Sequence, residues 1–97
     1  MAPETLNKVK AFIRISHSKL DGDITDSIDA CLADLRTHGI IHKDDTDPLI
    51  LNAVKLYCKS LYTDDTAKAA EYLSRYNALR DSLKVAKGYG WKGEADE

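Results

Sequence analysis

The chain has 97 residues, enough for one small domain, with 43% hydrophobic and 31% charged residues. Its 14 basic and 16 acidic residues leave a formal net charge of -2, which is no electrostatic footprint for non-specific nucleic-acid binding. No stretch approaches the roughly 20 apolar residues of a membrane span, and Met1 to Thr5 lack the basic start and apolar run of a signal peptide, so a cytoplasmic site of synthesis is expected.

The first segment runs from about Pro3 to Ile15. Proline suits the first turn of a helix. Leu6, Val9, Phe12 and Ile13 then fall on one face, while Lys8, Lys10 and Arg14 point elsewhere. Ser16-His17-Ser18-Lys19 breaks the pattern.

A second helix opens at Asp21-Gly22-Asp23, with Asp21 as the expected N-cap and the acids facing the positive end of the helix dipole. Ile24, Ile28, Cys31, Leu32 and Leu35 form its apolar stripe, and Gly39 is the expected stop. Ile40 and Ile41 are expected to fold back onto the core, and His38 to meet the last carbonyls of the helix.

His42 to Thr46 read as a polar loop, and Asp47-Pro48 as a strong helix start: a capping acid followed by proline at the first helical position. The third helix, from Pro48 to about Tyr62, is apolar around most of its circumference. Such a helix must be covered on nearly all sides, so it belongs at the centre of the domain. Asn52, Lys55 and Lys59 interrupt it on one narrow stripe, read as an exposed polar face.

One residue of Thr63 to Thr66 should cap a fourth helix, from about Ala67 to Ala86. Its expected stripe is Ala69, Leu73, Tyr76, Leu79 and Leu83, bordered by Tyr72, with Glu71 and Arg75 paired outside. Ile28, Leu32, Ile50, Val54, Tyr57, Leu73 and Tyr76 are expected to pack together. Glycines at 88, 90 and 93 end the periodicity. The fold class is therefore all-α: about four helices over residues 1–87, with a mobile glycine-, aromatic- and acid-containing tail over residues 88–97.

Chemistry is sparse. Cys31 and Cys58 lie within the apolar patterns of two helices and read as reduced, buried small hydrophobes. His38 and His42 are separated by Gly39, which removes the helical spacing a metal pair would use. Asp21 to Asp26 fail the calcium-loop pattern, with Asp26 at the sixth position and Leu32 at the twelfth. No phosphate loop, carboxylate pair or nucleophile–histidine constellation is legible. The reading is a non-enzyme with no catalytic residues, no metal and no cofactor.

Val9-Lys10-Ala11-Phe12-Ile13-Arg14-Ile15, Asp21-Gly22-Asp23-Ile24 and Pro48-Leu49-Ile50 with Ala53-Val54, Leu56-Tyr57 and Tyr62 together resemble the small head–tail connector proteins of long-tailed bacteriophages, also called adaptor, head-completion or DNA-packaging proteins. The pattern covers roughly residues 6–83. It departs from the family after Tyr62, where Thr63-Asp64-Asp65 stand in place of a frequent asparagine–arginine pair.

The resemblance implies a structural protein of the virion neck, made in the host cytoplasm. It would form a ring below the portal, extend the DNA channel and offer a platform for the next neck, stopper or tail protein. Packaged DNA would pass without sequence-specific binding. The competing reading is a small helical packaging accessory or DNA-associated regulator. Lys87, Tyr89, Trp91 and Lys92 are the candidate partner-binding residues, because aromatics beside lysines anchor large areas with few rotatable bonds.

Overall fold

The structure is a computed structural model and describes residues 1–89. Its elements are four helices: α1 (Thr5–Ile13), α2 (Asp21–Thr37), α3 (Pro48–Leu61) and α4 (Thr66–Val85). Among the described residues there is no strand. No helix there is long and apolar enough to cross a membrane.

α3 contacts all three other helices, most extensively α4. Its Ile50, Ala53, Val54 and Cys58 are buried. They meet Val9 and Ile13 of α1, Ile24, Ile28, Cys31 and Leu35 of α2, and Tyr76 and Leu83 of α4 in one apolar core. Leu32 and Tyr57 are half-buried against it, and the Tyr57 ring meets Tyr76 edge-on with centroids 5.2 Å apart.

Local chemistry sets the boundaries. The Asp47 side chain accepts hydrogen bonds from the Leu49 and Ile50 amides, and Pro48 occupies the first turn, as the sequence implied. Asp65 caps α4 by accepting from the Lys68 amide. α2 stops at Gly39, whose φ of 85° lets the Gly39 and Ile40 amides reach the Arg36 and Leu35 carbonyls. α1 ends in the same motif, with Arg14 in the left-handed conformation at φ 62° and the Ile15 amide on the Lys10 carbonyl. The Nδ1 of His38 lies 2.8 Å from the Asp34 carbonyl oxygen in the last turn of α2. Glu71 and Arg75 form their pair on the outside of α4.

Four expectations are corrected. α1 begins at Thr5 and ends at Ile13, shorter at both ends. Asp21 is the first residue of α2 rather than its cap; Leu20 holds the cap position, and Asp21 instead pairs with Lys10 of α1 at 2.7 Å. Leu73 is 42% exposed and leaves the core. The buried face of α4 follows Tyr72, Tyr76, Leu79 and Leu83, a three–four alternation that Leu73 misses by one position. Ile40 is buried but Ile41 is 54% exposed, because both lie beyond the end of α2 and only the first of them turns onto the core. Phe12 also lies at the margin, packed under the Lys55 ammonium at 5.9 Å from its ring centroid.

Asp45 supplies a tie that the sequence did not reveal. It is only 4% exposed, and its Oδ2 accepts from the Ala2 amide and the Thr5 hydroxyl. Burial opposes its ionisation, but these donors outweigh it and hold its carboxyl below the usual carboxylate range. The loop carboxylate thus ties the residues at the start of α1 to the loop before α3, while Glu4 makes no side-chain cap bond.

Three outcomes are expected. Val54 is fully buried, so Val54→Asp leaves an uncompensated carboxylate costing about 3–5 kcal/mol, comparable with the total stability of a marginal small domain. The variant should show no native melting transition; a native-like melt would contradict the packing around α3. Asp45→Asn should cost about 1–3 kcal/mol by denaturant unfolding. Because the folded pKa of Asp45 is depressed, its contribution is complete above the unfolded value and disappears as pH falls through the folded one. The variant should therefore lose part of the acid-induced decline in stability, and an unchanged profile would count against this tie. Finally, burial pushes both the Cys31 and Cys58 thiols up to about 12. Neither should react with a thiol reagent at neutral pH until the protein unfolds; rapid native labelling of both would disprove their burial.

Candidate partner-binding surfaces

The sequence-derived residues fall into two regions. Lys87 to Tyr89 follow α4 at its C-terminal end. There Gly88, with φ 90°, permits a turn in which the Tyr89 amide reaches the Ala86 carbonyl. The turn sends Tyr89 back to the start of α3. Its ring is half-buried against the core, and its hydroxyl donates to Asp47 Oδ1 at 3.2 Å. Burial, and then this carboxylate acceptor, raise the hydroxyl's pKa. Asp47 therefore caps α3 with one oxygen and holds Tyr89 with the other. A division at residue 88 leaves Tyr89 on the tail side of the boundary although it packs on the helical body. Lys87 is exposed beside it. Trp91 and Lys92 lie outside the described residues.

The Asn52, Lys55 and Lys59 stripe faces α1. Asn52 is exposed, but Lys55 and Lys59 are half-buried. Lys55 covers Phe12, and Lys59 Nζ donates to the Phe12 carbonyl at 3.5 Å. A cation at this point suits the negative end of the α1 dipole. The two lysines thus help seat α1, which leaves Asn52 as the exposed member.

A polar network joins α2 to α4. The Tyr76 hydroxyl donates to Asp34 Oδ2 at 2.6 Å, and Arg80 Nη1 approaches the same oxygen at 3.5 Å. Arg80 also donates to Asn77 and to Asp81, and its guanidinium lies 5.7 Å from the Tyr76 ring centroid. Burial first, and the Asp34 carboxylate second, push the Tyr76 hydroxyl far above its ordinary value, so it serves as a fixed donor. The network orients two helices and has the structural role of satisfying a buried hydroxyl. Its sequence trace was Asp34 at the edge of an otherwise apolar stripe, with no local partner to mark it.

A concavity lies between the C-terminal half of α2 and the loop that follows it. It encloses about 590 Å³ and is lined by Leu32, Arg36, Ile41, Lys43, Asp44 and Ile50, among others. Asp44 organises this loop, accepting from both the amide and the hydroxyl of Thr46, the hydroxyl first, which lowers its own pKa. Among the described residues, no three histidine, cysteine or acidic side chains converge as a metal site would require. The features on view are packing surfaces, charged rims and a cleft, which suit contact with other macromolecules.

No curated protein and no solved structure matches the chain. The phage connector protein family model matches residues 5–90, from the first residue of α1 through all four helices and past Tyr89. The chain belongs to the phage connector protein family.

Proposed function

We propose that this protein is a structural component of the phage neck, assembling as a ring below the portal to extend the DNA channel and present a platform for the next neck or tail protein. The observation that carries this reading is the extent of the family match, which takes in the whole helical body. A connector has to hold its shape while contacting several partners. A domain with one central helix tied to every other element meets that demand.

The net charge of -2 fits a channel wall past which DNA moves without adhering. The partners would be the portal, further copies of this chain and the neighbouring neck or tail protein. Closed rings require a heterologous contact, in which two different faces of one protomer meet. Lys87, Tyr89, Trp91 and Lys92 are the proposed anchors to the portal or a neighbouring subunit. Of these, Lys87 and Tyr89 follow the last turn of α4 at one end of the bundle.

Removing residues 90–97 should leave the melting transition of the domain unchanged and abolish incorporation of the protein into filled heads, measured by immunoblotting and electron microscopy of purified particles. Truncated protein that still joins the neck and supports tail attachment would refute the role given to this segment. Absence of the full-length protein from purified virions would refute the neck assignment itself.

A further inference from the structure

The net charge of -2 conceals a sorting of charge along the chain. Residues 5–19 carry Lys8, Lys10, Arg14 and Lys19 with no acid, and residues 20–35 carry Asp21, Asp23, Asp26, Asp29 and Asp34 with no lysine or arginine. Among the described residues Lys10–Asp21 is the ion pair that joins the two sets. Asp34 is taken by Tyr76 and Arg80. Asp23, Asp26 and Asp29 make no ion pair among the described residues, and neither do Lys8, Lys55 and Lys59.

These unmatched charges gather on two faces. On α2, Ile24, Ile28, Cys31 and Leu35 turn inward, and Asp23, Asp26 and Asp29 lie exposed on the other side with Ala30 and Ala33. Asp23 suits the first turn, where the helix dipole favours an acid, but Asp26 and Asp29 lie beyond it. Spaced three apart, the acids repel one another, and no lysine or arginine stands three or four positions from Asp26 or Asp29 to relieve them. The basic face is built by α1 and α3, which run side by side in the same direction. Thr5 meets Asp45 just before α3, and Phe12 meets Lys55 and Lys59 farther along it. Lys8 is exposed one turn before Phe12 on the same flank of α1. Lys8, Lys55 and Lys59 therefore border Phe12, which is 37% exposed. The Phe12 carbonyl takes one donor of the Lys59 ammonium and leaves the others for a further acceptor.

We propose that these two faces bind each other in different copies of this chain. Lys8, Lys55 and Lys59 of one protomer meet Asp23, Asp26 and Asp29 of the next, with Phe12 seated on Ala30 and Ala33. Within one protomer they do not meet, because the acids of α2 lie opposite the stripe that packs on the core. At about 1.5 Å per residue, Asp23 to Asp29 span about 9 Å of helix and Lys55 to Lys59 about 6 Å, so the two rows match in length. Contact between two different faces gives a head-to-tail array, which closes as a ring or runs on as a filament. That it closes as a ring rests on the neck reading; the contact itself is made by the free protein. Duplex DNA is a poorer occupant of the basic face, since three lysines form a short phosphate track and the acidic face would stay unmatched.

The test uses the free, full-length protein as an equal mixture of ordinary and heavy-nitrogen-labelled chains, treated with a carbodiimide that joins amines to carboxylates in direct contact. Mass spectrometry should find mixed-isotope cross-links from Lys8, Lys55 or Lys59 to Asp23, Asp26 or Asp29. Sedimentation should show self-association that weakens as sodium chloride is raised from about 0.01 M to about 1 M, where the screening length falls from about 30 Å to about 3 Å. Asp26→Lys with Asp29→Lys, both at exposed positions, should weaken association about tenfold or more while the far-ultraviolet dichroism stays native. Lys8→Glu with Lys55→Glu should do the same, and mixing the two variants should restore association, because each then offers the face the other lacks. A protein that stays monomeric at low salt would overturn the proposal, as would association without these cross-links or unaffected by both pairs of substitutions. Binding of duplex DNA that is lost in the Lys8→Glu, Lys55→Glu variant, without self-association, would assign the basic face to DNA and overturn it too. Protein present in virions whose faces fail to cross-link would sink this contact and leave the neck reading standing.

Discussion

The demand of α3 for cover governs this molecule. A helix with apolar residues around most of its circumference is unstable unless other elements enclose it, and in a chain this short three amphipathic helices are just sufficient. α1, α2 and α4 each contribute a limited apolar stripe, and the stripes meet on Ile50, Ala53, Val54 and Cys58. The lysines of α3 lie where its cover by α1 ends, with their stems packed and their heads directed at Phe12 and its carbonyl. The remaining surface is left to polar groups, small residues and a few exposed apolar side chains such as Leu61, Leu73 and Val85.

One end of the bundle concentrates the polar organisation. Three aspartates in a four-residue span divide the work: Asp44 shapes the turn, Asp45 holds the start of α1, and Asp47 caps α3 and receives Tyr89. The first and last described parts of the chain therefore converge on one loop. For a connector this has a mechanical consequence. A partner that displaces Tyr89 acts directly on the cap of the central helix, and one that enters the cleft beside α2 acts on the loop carrying all three acids. The opposite end is tied by different means, the Lys10–Asp21 pair and the contact of Tyr62 with Ser27 at 3.5 Å.

Legibility from sequence followed locality. The Asp47-Pro48 start and the Gly39 stop were readable because each joins groups at most a few residues apart, and the burial of α3 was readable because its composition allowed no other placement. Leu73 misled because a stripe drawn through Ala69 and Tyr76 passes equally near Leu73 and Tyr72, and only the position of α3 decides between them. Asp45 and Asp34 were opaque for the opposite reason. Their partners Thr5 and Tyr76 lie 40 and 42 residues away, and nothing local distinguishes them from solvated acids. The candidate anchors have only composition to mark them in the sequence. The fold gives Tyr89 a definite seat, while Trp91 and Lys92 lie outside the described residues.

Native-state hydrogen exchange tests the central role of α3 most directly. Its interior amides, those of Val54, Lys55 and Cys58, should exchange only through global unfolding, with protection equal to the full stability and the same denaturant dependence. The amides of α1 and of the outer turns of α4 should open at lower free energy. Exchange of the α3 amides through local openings, at free energies below those of α1 or α4, would contradict the account.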